Sequence, residues 1–224
     1  LAQLPAGVGE QTLSEALSEV QQRQLAAYMV MLAHWNSTFN LTALRDASEM
    51  LSHHLSDCLR VLAPLLRHPH TAGLLGRETP PRLLDVGSGG GLPGVVLAIC
   101  CPQVQVTCVD TVGKKAAFIR QVAAELRLPN LKAEHARVEQ LQGRYELITS
   151  RAFASLPDFV KLTRSLLSEG AAWMAMKGKA PDEELAELPA DVAVFHVEPL
   201  QVPGLDAERC LVWMRPEGEA QGGA

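Results

Sequence analysis

Leu83-Leu84-Asp85-Val86-Gly87-Ser88-Gly89-Gly90-Gly91-Leu92-Pro93-Gly94 is the stretch that decides the fold of this chain. An apolar run short enough for one strand meets five glycines between positions 87 and 94, and a helical run from about Leu92 to Cys101 follows. A turn without Cβ atoms lets a ligand approach the backbone, and the helix behind it offers unpaired N–H groups. Strand, glycine turn and helix in that order are the opening of a nucleotide-binding α/β unit.

Downstream, β-type runs alternate with helical ones. Val104–Val109 reads as a second strand, Leu131–His135 as a third, Tyr145–Thr149 as a fourth and Ala171–Met176 as a fifth. Helices are expected over Gly113–Leu126, ended by Leu128-Pro129, and over Leu156–Leu167. Residues 191–198 and 208–214 complete the set as an antiparallel terminal pair. Such alternation implies an α/β, Rossmann-like, mostly parallel seven-stranded sheet covered on both faces.

Upstream the pattern is helical. Over residues 11–44, Leu17, Val20, Leu25, Tyr28, Leu32, Trp35 and Phe39 recur at spacings that mark one apolar face, and a second helix is expected over Ala47–Leu66. The organisation expected is therefore an N-terminal helical extension (1–67), a Gly- and Pro-rich linker (68–81), a ligand-binding core (82–216) and a disordered Gly-rich tail (217–224).

Composition narrows the function classes. Hydrophobic residues make up 47% of 224, an ordinary globular balance. No apolar run approaches the roughly 18 residues of a membrane span. Five cysteines without a CxxC pair argue against a disulfide framework or a zinc site, so a cytoplasmic protein with no membrane association is expected. The net charge of −5 disfavours a nucleic-acid partner, yet residues 110–180 hold twelve Lys or Arg against seven Asp or Glu. That segment is compatible with a phosphate-binding face, and equally with solvated helix surfaces.

Two cofactors compete for the glycine turn. Gly89-x-Gly91-x-x-Gly94 satisfies the dinucleotide fingerprint, and Asp110 follows at about the right distance. In that frame, however, the first glycine falls several residues after the strand. The frame Asp85-x-Gly87-x-Gly89-x-Gly91 instead sets an acid inside the strand end. A carboxylate there suits a ligand carrying an ammonium and a sulfonium, which points to S-adenosylmethionine in a class I methyltransferase core. Asp110, at the second strand end, is placed to accept the ribose hydroxyls. After the third strand, Val138 offers a backbone N–H and Glu139 a carboxylate for the adenine edge; solvation of a loop explains Glu139 equally well. After the fourth strand, Arg151 points toward the transfer site, where a guanidinium can hold a phosphate or a base edge. The competing reading is a structural salt bridge from Arg151 to Asp85 or Asp110.

Weaker signals accompany these. His53, His54, Asp57 and Cys58 cluster on one expected helix near His68 and His70, but no second ligand pair stands at metal-binding spacing. Cys108 reads as core. Lys114 and Lys115 open the helix after Asp110, where they meet either solvent or RNA phosphate. An oxidoreductase using the glycine fingerprint, a methyltransferase of small molecules or proteins, and a non-catalytic RNA-binding module all remain open on residues alone.

A set of short motifs goes further: His34-Trp35-Asn36, Asn40-Leu41-Thr42, His54-Leu55-Ser56-Asp57, Asp85–Gly94, Lys114 and Lys115 with Phe118, Arg137-Val138-Glu139, Ser150-Arg151-Ala152-Phe153-Ala154 and Leu200-Gln201-Val202-Pro203 running on to Glu208-Arg209. In this order they resemble the bacterial 16S rRNA guanine-N7 methyltransferases of the RsmG family, also called GidB. The resemblance implies S-adenosylmethionine contacts at Gly87, Leu92, Val138, Glu139 and Arg151, added to the Asp85, Gly89 and Asp110 read from the loop. It implies a monomer acting on 16S rRNA or on the assembling small ribosomal subunit. Gly90 departs from the pattern, standing where some relatives carry proline, which loosens the turn. Guanine N7 has an exposed lone pair, so no general base is required. Accordingly the chain holds neither the Asn-Pro-Pro-Tyr motif of amino-group methyltransferases nor a Pro-Cys nucleophile. Arg151 is then expected to orient the guanine or the cofactor.

Overall fold

The computed structural model describes residues 17–41, 51–68, 71, 73–74, 77–200 and 208–218. Helix α1 spans Glu19–Phe39, begun by a Ser18–Gln21 capping box and ended by Asn40 in the left-handed conformation. The flanks of the longer helix expected here, 11–16 and 42–44, lie outside the described residues. Leu25, Tyr28 and Leu32 are buried as the periodicity demands, whereas Val20 is 60% and Phe39 39% exposed. Five residues separate Val20 from Leu25, which turns its side chain well off the buried stripe.

The second expected helix is broken. A π-helical turn, Leu51–Ser56, leads into α2 (Asp57–Arg60) and α3 (Leu62–Arg67). Pro64 explains the break, because it has no N–H for the carbonyl of Arg60 and its ring crowds that carbonyl. The start of this segment, 47–50, and parts of the expected linker, including His70, lie outside the described residues. Within that linker Thr71 and Leu74 are buried.

The core follows as β1 (Arg82–Val86), α4 (Gly94–Cys100), β2 (Gln105–Asp110), α5 (Gly113–Glu125), β3 (Leu131–His135), a short 3-10 turn at Val138–Gln140 and β4 (Tyr145–Arg151). Then come α6 (Leu156–Thr163), β5 (Leu167–Lys177), α7 (Asp182–Ala186), β6 (Val192–Pro199) and β7 (Cys210–Pro216). The seven strands form one sheet in the order β3-β2-β1-β4-β5-β7-β6, parallel except that β7 runs antiparallel to both its neighbours. The sheet is Rossmann-like and mostly parallel, as the alternating pattern predicts. Most boundaries shift by one or two residues, β4 running on to Arg151 and β7 to Pro216, and two differences are larger. Helix α6 stops at Thr163 and the apolar Leu166-Leu167 pair leaves it, because Leu167 pairs with Tyr145 at the start of a longer β5. The short helix α7 carries no buried residue, so it has no apolar stripe to be read.

Alternate strand residues feed opposite faces. Leu83, Leu147 and Met174 pack with α1 and α4, together with Phe118, Ile119 and Val122 of α5, while Leu84, Ile148 and Trp173 pack with Phe159 and Val160 of α6. The N-terminal helix therefore lies on the same face as α4 and α5, beside the glycine turn.

Candidate functional site

The strand order reverses between β1 and β4, and in open parallel sheets the crevice beyond the strand ends at such a switch point takes the ligand. Register sets the parts side by side: Val86 stands opposite Val109 of β2 and Ser150 of β4. Gly87 thus leaves the sheet next to Asp110 on one side and Arg151 on the other.

Gly87 begins the turn directly at the strand end, and Gly87, Gly89 and Gly91 all take positive φ (67°, 56° and 93°). These are the glycines of the Asp85-x-Gly87-x-Gly89-x-Gly91 frame. A Cβ on Gly87 would lie 2.5 Å from the Phe153 ring, so that ring rests on the bare backbone of the turn. Gly94 opens α4 where a Cβ would meet Cys108 Sγ at 2.4 Å and Asp85 Oδ2 at 2.7 Å.

Asp85 is fully buried. Its Oδ2 accepts a hydrogen bond from the Gly94 N–H at 2.9 Å, closing the turn from within, while Oδ1 has no partner among the described residues. Burial pushes its pKa from an ordinary 3.8 up to about 7. An orphaned buried acceptor beneath a glycine turn fits a ligand that brings N–H donors and positive charge. Because the folded chain holds this proton more tightly than the unfolded one, stability falls as pH rises from about 4 through about 7. Denaturation midpoints at pH 5 and pH 8 are expected to differ in the ligand-free chain, with Asp85→Asn losing part of that difference. An unchanged difference in the variant would show that Asp85 is not its source.

Asp110 is 8% exposed and holds the other side of the turn. Its Oδ2 accepts from the Gly89 N–H at 3.0 Å and its Oδ1 from the Val112 N–H at 2.8 Å. A carboxylate offers about four lone-pair sites, so capacity for ribose hydroxyls remains. Lys115 lies 3.8 Å from Oδ2 and is thus engaged by Asp110, while Lys114 is exposed. Beyond β3, the Val138 side chain is buried in the α6-side core and Glu139 is exposed. Leu92 is buried as well.

Arg151 is 19% exposed in its side chain. Its partner is neither Asp85 nor Asp110. Nη1 lies 3.7 Å from Asp57 Oδ2, and Nη2 donates to His54 Nδ1 at 3.2 Å. Both partners come from the N-terminal extension, which the sheet register cannot reveal. The next residue, Ala152, takes φ 51°, an uncommon conformation for alanine that carries Phe153 over Gly87. Lys177, at the end of β5, donates to the Ala154 carbonyl at 3.0 Å and pairs with Glu184 at 2.7 Å; Glu184 in turn accepts from the Leu156 N–H at 2.6 Å.

A family model described as "GidB: rRNA small subunit methyltransferase G" matches residues 21–212. The chain belongs to this family. It is 61% identical over 213 residues to Ribosomal RNA small subunit methyltransferase G of Leptothrix cholodnii, covering 95% of this chain and 94% of that one. To the protein of that description from Polaromonas naphthalenivorans it is 58% identical over 209 residues, covering 93% of each. Among solved structures, a SAM dependent methyltransferase from Aquifex aeolicus superposes with a TM-score of 0.53 at 15% identity, covering 74% of this chain and 92% of that one. A ribosomal protein L11 methylase from Lactobacillus delbrueckii subsp. bulgaricus gives a TM-score of 0.52 at 14% identity, covering 71% and 77%. These two share the fold of this GidB-family chain.

The fold brings Asp85, Gly87, Gly89, Asp110 and Arg151 together at the strand ends beside the switch point. Of the histidine-rich cluster, His54 and Asp57 face Arg151, Cys58 is buried with its thiol pushed up to about 12 by burial, and the His53 side chain lies outside what is described. His68 stacks on Trp213 with ring centroids 4.8 Å apart. Trp35 packs against Phe118 at 5.4 Å and against the more exposed Phe39 at 5.0 Å. Residues 201–203 of the terminal motif lie outside the described residues. Tyr28 was expected only as core, yet its hydroxyl donates to the Gly90 carbonyl at 2.8 Å and ties α1 to the turn. A tyrosine on a buried stripe is itself the signal, since a buried phenol needs a partner. Leu32 meets the same glycine: a Cβ on Gly90 would lie 2.7 Å from its Cδ1.

Proposed function

We propose that this chain transfers a methyl group from S-adenosylmethionine to N7 of one guanine in 16S rRNA of the small ribosomal subunit. The observation that carries this reading is membership of the rRNA small subunit methyltransferase G family over residues 21–212, with the glycine turn lying at the switch point of the sheet. When bound, S-adenosylmethionine supplies an electrophilic methyl on a sulfonium. The N7 lone pair forms the new C–N bond as the S–C bond breaks, leaving a neutral thioether and a positively charged base.

No proton has to leave N7 beforehand, so the protein's task is alignment. Gly87 and Gly89 admit the cofactor to the backbone, and Asp85 supplies the negative charge beneath it. Asp110 takes the ribose hydroxyls, Val138 and Glu139 take the adenine edge, and Leu92 contributes its backbone. Arg151 orients the reacting pair. The chain acts as a cytoplasmic monomer. Its overall charge of −5 favours a substrate surface already shaped by RNA and ribosomal protein over free RNA, so naked rRNA is methylated about as poorly as denatured RNA.

The test is to map N7-methylguanine in small-subunit RNA from a strain deleted for this gene and from the same strain carrying the chain on a plasmid. Loss of one modified guanine and its return support the reading. A modification pattern that does not change overturns it.

A further inference from the structure

We propose that Asp57 and Arg209 are positioning residues for Arg151, forming a relay that joins the N-terminal extension and the last strand to the switch point. The inference rests on the reading above that Arg151 meets the cofactor. Asp57 opens α2 with its side chain only 5% exposed. Arg209 Nε, just before β7, lies 3.1 Å from both carboxylate oxygens, and Arg209 Nη1 donates to the Glu208 carbonyl at 2.8 Å. The Oδ2 atom is shared with Arg151, whose Nη1 is 3.7 Å away. Strands β4 and β7 lie on opposite sides of β5, so the Asp57 carboxylate reaches across the end of that strand to hold both guanidiniums.

The chemistry of each partner says what the relay does. A guanidinium has no acceptor, so in the 3.2 Å contact Arg151 is the donor and His54 Nδ1 the acceptor. Among the described residues Asp57 is the only carboxylate ion-paired with either arginine. One carboxylate thus faces two guanidiniums. Arg209 holds the closer, two-oxygen contact and so fixes where the carboxylate sits. Among the described residues Arg151 is held by a looser ion pair and one hydrogen bond, which orient its long stem. Removing Arg209 frees Asp57 to turn, and Arg151 loses its bearing although nothing at the glycine turn has changed.

The test is a double-mutant cycle on S-adenosylmethionine affinity, measured by calorimetric titration of the full chain without RNA. Arg209→Met is expected to weaken binding roughly fivefold to tenfold, and in an Arg151→Met background to add nothing. Arg209→Lys, which keeps the charge on Asp57, is expected to bind within about twofold of the natural chain. Thermal unfolding of each variant shows whether it has folded; should Arg209→Met fail to fold, the cycle is run with Arg209→Lys and Arg209→Gln. Losses that multiply, an Arg209→Met chain with unchanged affinity, or an Arg151→Met chain with unchanged affinity each overturn the proposal. Because no RNA is present, a wrong assignment of the methylated base leaves these results as they are.

Discussion

Gly94→Ala is expected to lose about 3 kcal/mol of stability and at least tenfold in S-adenosylmethionine affinity. The new methyl would stand 2.4 Å from Cys108 Sγ and 2.7 Å from Asp85 Oδ2, and both neighbours are fully buried in adjacent strands. Neither is the free end of a flexible side chain. Relief therefore requires α4 to withdraw from the sheet, which stretches the 2.9 Å hydrogen bond from the Gly94 N–H to Asp85. That bond is the inner closure of the glycine turn, so the surface that the proposed function offers to the cofactor changes with it. Pairing the substitution with Cys108→Ala removes the nearer clash and is expected to restore part of the stability, because the Asp85 contact persists. Thermal unfolding and calorimetric titration measure both effects. A Gly94→Ala chain with the natural melting temperature and affinity would show that α4 tolerates a side chain here.

Arg151→Ala is expected to slow methyl transfer by at least about a hundredfold, equivalent to about 2.7 kcal/mol in the barrier, while costing little stability. The two halves of this expectation have separate grounds. In the proposed function Arg151, at the end of β4 beside Gly87, orients the reacting pair, and a misaligned in-line displacement loses rate steeply. Stability is spared because Asp57 keeps Arg209 at 3.1 Å when Arg151 is gone, so no buried carboxylate is stranded. Single-turnover transfer of labelled methyl to small subunits, at saturating cofactor, reads the rate. A natural rate in Arg151→Ala would remove Arg151 from the mechanism.

Much of the architecture was legible. Apolar runs of strand length, separated by helical periodicity and by turn residues, located all seven strands, because each signal is carried by neighbours in the chain. The failures are equally physical. Leu166-Leu167 has the composition of a helix end, but Tyr145 across the sheet claims Leu167 for β5. Val20 reads as part of the apolar stripe yet lies exposed, because five residues from Leu25 its side chain turns off the buried face. The spacing already favours the Asp85-x-Gly87-x-Gly89-x-Gly91 frame, and β1 does end at Val86, which makes Gly87 the first residue of the turn.

The glycine turn, read alone, determined a stretch of bare backbone between a first strand and a helix, with an acid beneath it and another one strand away. Those features are local: they depend on residue type and on spacings shorter than one βαβ unit. Tertiary structure decided the rest. It set Asp85 in the interior with one oxygen unpaired, gave both oxygens of Asp110 to backbone N–H groups, and rested the Phe153 ring on Gly87. It also gave Arg151 the ion pair with Asp57 and the hydrogen bond with His54 rather than a salt bridge to either of those acids. Its partners His54 and Asp57 precede it by more than 90 residues, and Arg209 reaches Asp57 across 152. A charge pair at such separation leaves no trace in periodicity or composition, because only the folded sheet brings the end of β4, the start of β7 and the N-terminal extension to one place.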